Sequence, residues 1–151
     1  CSAAVLDGVD VVYVARVATT KRIMSITINV GTRLPAFVTS MGRVLLADMS
    51  ASALNEFLEN CQIEQFTQYT ITNKTELIAE IAKVKQQGYS MVEQELEIGL
   101  TSISVPVHNG EGDVIAALNV STHMSQTARQ QIFEVILPAL QQCAHQVERL
   151  G

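Results

Sequence analysis

Basic residues are scarce in this chain: ten Lys and Arg stand against fifteen Asp and Glu, for a net charge of −5. No basic run and no basic stripe interleaved with aromatics occurs, and this argues against a nucleic-acid-binding face. Aromatics make up only 5% of the residues, and tryptophan is missing altogether. Cysteines number three, Cys1, Cys61 and Cys143, far apart and without a C-x-x-C pair. An odd, scattered set does not build a disulfide framework, and it indicates a reducing, cytoplasmic setting. Cys61 and Cys143 fall on apolar helical stripes, where buried free thiols are expected. No apolar run reaches the ~18 residues of a membrane span, and no signal peptide is visible.

Catalytic signatures are missing as well. There is no nucleophile elbow, P-loop or dinucleotide fingerprint. The Gly110-Glu111-Gly112 run lacks the following helix that phosphate binding needs. His108, His123 and His145 have no metal-ligand spacing. His145 and Glu148 stand three apart on a helix, but a pair is too small a set for zinc. Glu93, Glu95 and Glu97 alternate, which places them on one strand face, and a hydrated charged face explains them better than a general acid–base pair. No catalytic residue, metal or cofactor is therefore expected, and no membrane partner.

What the chain does have is apolar material, 48% of its 151 residues. That is enough for one domain with a real core over residues 1–151, and no linker or repeat divides it. The chain starts at Cys1 inside a strand-like pattern, so it reads as an excised domain whose DNA-binding part, if any, would precede residue 1. Asp7-Gly8 between apolar segments 3–6 and 9–17 predicts a two-residue hairpin turn pairing Leu6 with Val9 and Ala4 with Val11. Both hairpin faces are apolar, so the sheet is expected to be covered on both sides there. A further strand fits residues 24–30. Ser50 caps a helix carrying Leu54, Phe57, Leu58 and Cys61. Asn73 and Glu76 form an N-cap pair ahead of Leu77, Ile78, Ile81 and Val84, with Gly88 at C′. Residues 89–95 read as a strand. The last helix, from 126 to 150, carries a 3.6-period apolar stripe and a kink at Pro138.

Two features point to a small-molecule site. In residues 31–47, a proline-stiffened loop leads into Thr39-Ser40 and a short apolar helix. Either residue can serve as N-cap, and the free amides of the first turn suit a carboxylate or another small anion; a capped helix without a ligand is the other reading. Strands 101–107 and 113–121 form the second feature. Pairing His108 with Asp113 sets Ile103 opposite Leu118 and Val105 opposite Ala116. The reverse face then brings together Ser102, Ser104, Asn119, Ala117 and Ser121. A small, polar face is either a ligand pocket or an open sheet surface. Arg16, near the end of an apolar strand, needs a carboxylate from Glu93, Glu95 or a ligand.

The segments GTRLPAFVTSMGRVLLA (31–47), YSMVEQELEIGLTSISVPV (89–107) and AALNVS (116–121) resemble, in order and separation, the effector-binding domain of IclR-type bacterial transcriptional regulators. The subgroup that senses protocatechuate and 4-hydroxybenzoate is the most similar, through VYVARV (12–17), IMS (23–25) and TSMG (39–42). The resemblance implies an α/β (α+β) domain, a mainly antiparallel twisted sheet with flanking helices related to GAF and PAS sensors. It implies ligand contacts at Ser40, Met41, Gly42, Val92, Ser102, Ser104, Asn119 and Ser121, with Ile26 and Leu34 lining the apolar side and Arg16 as a further candidate. Val92 stands where keto-acid-binding relatives usually carry an acid, which favours a ring. Thr101 replaces a residue commonly basic in the family. The implied partners are a small carboxylate, a homodimer or tetramer, and operator DNA reached only through a helix-turn-helix module outside these residues. Two other readings stay open, an oligomerisation module without ligand and an enzyme acting on a small acid.

Overall fold

The computed structural model describes residues 1–17 and 28–150. Two hairpins meet at its centre. Strands β1 (Ser2–Asp7) and β2 (Asp10–Arg16) form the first, and β5 (Leu100–His108) and β6 (Val114–His123) the second. β1 joins β6, while β3 (Arg33–Pro35) and β4 (Ser90–Glu93) close the edges. The six strands run in the order β3-β2-β1-β6-β5-β4, every neighbouring pair antiparallel.

Alternation splits this sheet into two apolar faces. Ala4, Val11, Tyr13, Leu34 and Ala117 point to one core, filled by α1 (Ser40–Ala47), α2 (Ala51–Asn60) and α3 (Lys74–Gln87). Ile103, Val105, Val107 and Leu118 point to the other, covered by α4 (Arg129–Gln131), a π-helical turn over Ile132–Ile136, and α5 (Leu137–Leu150). The result is a three-layer α+β domain, the expected architecture. All eight residues of α1 are buried, so this short helix is held from every side.

The local signals for helix ends hold. Thr39 accepts from the Gly42 amide at 3.1 Å, Ser50 from Ala53 at 3.2 Å, and Asn73 from Glu76 at 3.1 Å; Gly88 ends α3. The last helical segment begins at Arg129, three residues later than expected. Its irregularity takes the form of the π turn, in which the Leu137 amide bonds back to the Ile132 carbonyl just ahead of Pro138.

Register is where the expectations need correcting. The first hairpin turns at Gly8-Val9, with Asp7 opposite Asp10 and Leu6 opposite Val11. Gly8, at φ 62°, supplies the positive φ that a primed turn requires at its first central position. This register also sets the two carboxylates side by side, and Arg33 of β3 bridges them at 2.8 and 3.1 Å. β3 lies at Arg33–Pro35, within the stretch expected to be a loop. Of the strand expected over 24–30, residues 24–27 lie outside the described residues and 28–30 are irregular. β4 stops at Glu93 because Gln94 turns the chain at φ 58°.

The second hairpin is displaced by two residues. Ser102 faces Ser121, Ser104 faces Asn119, and Val105 faces Leu118. Two one-residue steps cause this. His108 pairs with Val114 in place of Asp113, and a bulge at Val107/His108 adds the second step. Asn109 holds the longer loop through its side-chain oxygen, which accepts from the amides of Glu111 and Asp113 at 2.9 and 3.0 Å. A two-residue slip keeps every side chain on its original face, so the polar face survives with different partners. Ile115 is 52% exposed.

Candidate functional site

The site forms where the N-terminus of α1 meets the polar face of β5 and β6. Gly42 is what lets α1 approach: a Cβ at this position would lie 2.0 Å from the Ala36 carbonyl oxygen, in the 3-10 turn Ala36–Val38 that leads into the helix. The first-turn amides of a helix have no acceptor within it. Thr39 takes the Gly42 amide, which leaves those of Ser40 and Met41 as donors at the positive end of the helix dipole.

Below them the serine face is wired to the helix. The Ser40 and Ser102 hydroxyls lie 2.6 Å apart, and the Asn119 amide nitrogen donates to Ser102 at 3.1 Å and to Ser121 at 3.2 Å. Ser40, Met41, Ser102, Asn119, Ser121, Leu34 and Val92 all line one cavity, as the sequence reading grouped them. The cavity is small, ≈ 20 Å³, about the space of one water molecule. A ring enters only if a wall moves.

Three proposed site residues stand elsewhere, and a fourth is not among the described residues. Gly42 contributes packing, its amide being already taken. Ser104 is fully buried beneath the cavity and donates to the Leu118 carbonyl at 2.8 Å. Arg16 is exposed at the end of β2, so the burial that would demand a carboxylate partner is not there. Ile26 lies outside the described residues.

The carboxylates assigned to Arg16 have other partners. Glu93 meets Arg129 at 3.3 Å. Glu95 is buried and takes both terminal nitrogens of Arg43 at 2.8 and 2.7 Å, together with the Ile71 amide at 3.0 Å. The hydrated face expected for Glu93, Glu95 and Glu97 is therefore corrected at Glu95. Arg43 is only 1% exposed, and its Nε donates to the Phe37 carbonyl at 2.9 Å. A single guanidinium thus ties the turn before α1 to the cavity wall formed by Glu95 and Leu96. It also neutralises the one carboxylate of that wall, so that an anion can be admitted.

Tyr13, Val38, Thr39, Glu95, Leu96 and Leu100 complete the lining and were not singled out from sequence. Tyr13 was within reach of it, since alternation from the Gly8 turn points Val11 and Tyr13 inward together. Burial pushes the Tyr13 phenol above its ordinary range, an effect the Arg16 charge partly offsets. Glu95 had no such signal, because its partner is 52 residues away. Cys61 and Cys143, expected to be buried, are half-buried free thiols, and partial burial raises the Cys61 pKa.

A larger cavity of ≈ 520 Å³ opens at the other end of α1, walled by α1, α3, α5 and the His108 end of β5. It mixes Asp48 and Glu148 with Lys85 and offers no cluster of free amides or hydroxyls. An anionic ligand is served better by the smaller site.

Comparison with known proteins agrees with this fold. The family model described as bacterial transcriptional regulator IclR, C-terminal, matches residues 1–149. The Pca regulon regulatory protein of Pseudomonas putida is 45% identical over 91% of this chain, which covers 47% of that protein. The p-hydroxybenzoate hydroxylase transcriptional activator of Acinetobacter baylyi is 34% identical over 99% of the chain, covering 56% of that protein. The chain thus spans about half the length of these curated relatives. Among solved structures, the inducer-binding domain of an Acinetobacter PobR double mutant, in complex with 3-hydroxybenzoic acid, superposes with a TM-score of 0.91 at 33% identity. The match covers 99% of this chain and 87% of that one.

Proposed function

Since the chain belongs to the IclR family of bacterial transcriptional regulators, as their C-terminal effector-binding domain, we propose that it binds a small aromatic carboxylate and passes this state to a DNA-binding module in the rest of the protein. The observation that carries this reading is the convergence on one cavity of the α1 amides and the Ser40–Ser102–Asn119–Ser121 chain, under apolar walls from Leu34 and Val92. The carboxylate accepts from the Ser40 and Met41 amides. Ser102, Asn119 and Ser121 orient it, and Leu34, Val92 and, by resemblance, Ile26 enclose the ring. No residue here acts as a catalyst. The ligand works by favouring one conformation or assembly of the whole regulator, to the extent that it binds that state more tightly. The full protein acts in the cytoplasm, as a homo-oligomer, on operator DNA bound through a helix-turn-helix module.

Calorimetric titration of the domain with protocatechuate, 4-hydroxybenzoate, pyruvate and glyoxylate tests the reading. The aromatic acids should bind more tightly, and tighter binding of either keto acid would overturn it. Ser102→Val and Asn119→Leu should each cost about 1–3 kcal/mol of ligand affinity while the fold persists. Unchanged affinity in both variants would remove the serine face from the site.

A further inference from the structure

Tyr13 stands out on the cavity wall. Its ring is 5% exposed and belongs to the core around Val11 and Leu34. Its hydroxyl makes no hydrogen bond to another described residue, although the neighbouring Ser40, Ser102, Asn119 and Ser121 side chains are all linked to one another. A hydroxyl without a partner among the described residues can pair with a ligand in the cavity that Tyr13 lines, which phenylalanine at this strand position could not do. The backbone around it is fully engaged: the Tyr13 amide donates to the Thr32 carbonyl at 3.0 Å, and its carbonyl accepts from Gly31 at 2.7 Å. The backbone thus holds this strand position in place, and the hydroxyl's donor and acceptor are unused among the described residues.

Its place in the sheet says what it faces. Tyr13 pairs with Ala4 of β1, and Ala4 pairs with Ala117 of β6. Both alanines are fully buried on this face. The row of the sheet that carries Tyr13 therefore holds only methyl groups on β1 and β6. Anion recognition is concentrated at the α1 N-terminus and Ser40–Ser102, while Tyr13 offers a single neutral hydroxyl on the β2 flank. A phenol is protonated at neutral pH, so it can donate as well as accept.

We infer that Tyr13 is the specificity-determining residue of this site, its hydroxyl pairing with a hydroxyl on the effector's ring, so that the domain selects hydroxylated aromatic acids over the unsubstituted acid. This rests on the proposed reading of the cavity as an aromatic-carboxylate site. A site built to pair with a ligand hydroxyl discriminates against the analogue that lacks it, because the protein's own polar group is then left buried and unpaired.

The test is calorimetric titration of wild type and Tyr13→Phe with 4-hydroxybenzoate, 3-hydroxybenzoate, protocatechuate and benzoate. Wild type should bind at least one hydroxylated acid about tenfold more tightly than benzoate, one hydrogen bond's worth. Tyr13→Phe should erase that preference, the hydroxylated acids losing more affinity than benzoate. An equal loss for benzoate and the hydroxylated acids would place Tyr13 on the carboxylate or the ring, and overturn the assignment. An unchanged preference in the variant would overturn it too, while leaving the aromatic-carboxylate reading intact. Failure of wild type to bind any of the four acids would defeat that reading and this inference together. Should Tyr13→Phe not fold, wild type is titrated with 4-hydroxybenzoate and 4-methylbenzoate, which share a shape but not the hydroxyl, and likewise with the 3-substituted pair. Equal affinities within both pairs overturn the inference. A preference for the hydroxyl compound, accompanied by a shift of the Tyr13 ring resonances that the methyl compound does not produce, upholds it.

Discussion

Arg43 and Glu95 set the terms at the scale of single residues. Two ionised groups with 1% and 7% exposure survive in a core only when each satisfies the other, and here both guanidinium terminal nitrogens meet both carboxylate oxygens. Removing one partner strands the other. Arg43→Met should therefore cost about 3–5 kcal/mol of stability, whereas Arg43→Met combined with Glu95→Leu should cost much less. Urea unfolding of wild type, both single variants and the double variant checks this, and additive losses would deny the coupling. The pair was not legible in the sequence. Arg43 sits inside an apolar helix and Glu95 inside an alternating acidic run, and nothing local joins positions 52 apart. The caps were legible for the opposite reason. Thr39, Ser50 and Asn73 each bond an amide three residues on, so cause and effect lie within one turn of chain. Arg16 shows the cost of reading burial from neighbours alone. Its strand is apolar, yet the end that carries it is exposed.

Between elements, the β5–β6 hairpin and α5 show what periodicity does and does not determine. Alternation fixed which side chains share a face. It could not count the residues of the Asn109–Asp113 loop or anticipate the bulge at Val107/His108, and two such steps moved every cross-strand partner while sparing the faces. The bulge also aims His108 at the last helix. Glu148 of α5 accepts from the His108 backbone amide at 3.0 Å and lies 3.0 Å from the His108 Nδ1, with the His145 Nδ1 3.7 Å away. The hydrogen bonds from His108 hold the Glu148 carboxyl below its ordinary value of 4.5. A carboxylate with a depressed folded-state pKa contributes stability that is complete above its unfolded value and is lost as pH falls through the folded one. The tie of α5 to β5 should therefore act at pH 5–7 and weaken only below ~4.5. Urea midpoints measured from pH 7 down to pH 3 should show a shallower acid decline for Glu148→Gln than for wild type. Parallel curves would mean that the helix is held by its apolar stripe alone.

For the molecule as a whole, the question is what covers the first hairpin. Its two faces were expected to be covered because both are apolar. The inner one is covered by α1 and the core around it, but α5 lies over β5 and β6 and does not extend across β2. Val5 and Val12 remain half-buried, and Val14, Val17 and Val30 are 48%, 69% and 66% exposed near the end of β2. Exposed aliphatic side chains at the end of a strand are of the kind that subunit contacts bury. The domain alone should therefore self-associate at micromolar concentration, and Val14→Glu should shift it toward monomer in sedimentation equilibrium. The same experiment separates two sources of assembly. A wild-type domain that sediments as a monomer would assign oligomerisation to the part of the regulator outside this chain, whereas an association unaffected by Val14→Glu would move the contact to another face, the final helix first. Charge makes the complementary prediction. With a net −5 and no basic stripe, the domain has little with which to neutralise phosphates. It should leave random duplex DNA unshifted at every salt concentration, and a shift that weakens as salt rises would show a phosphate-binding surface that the charge pattern does not reveal.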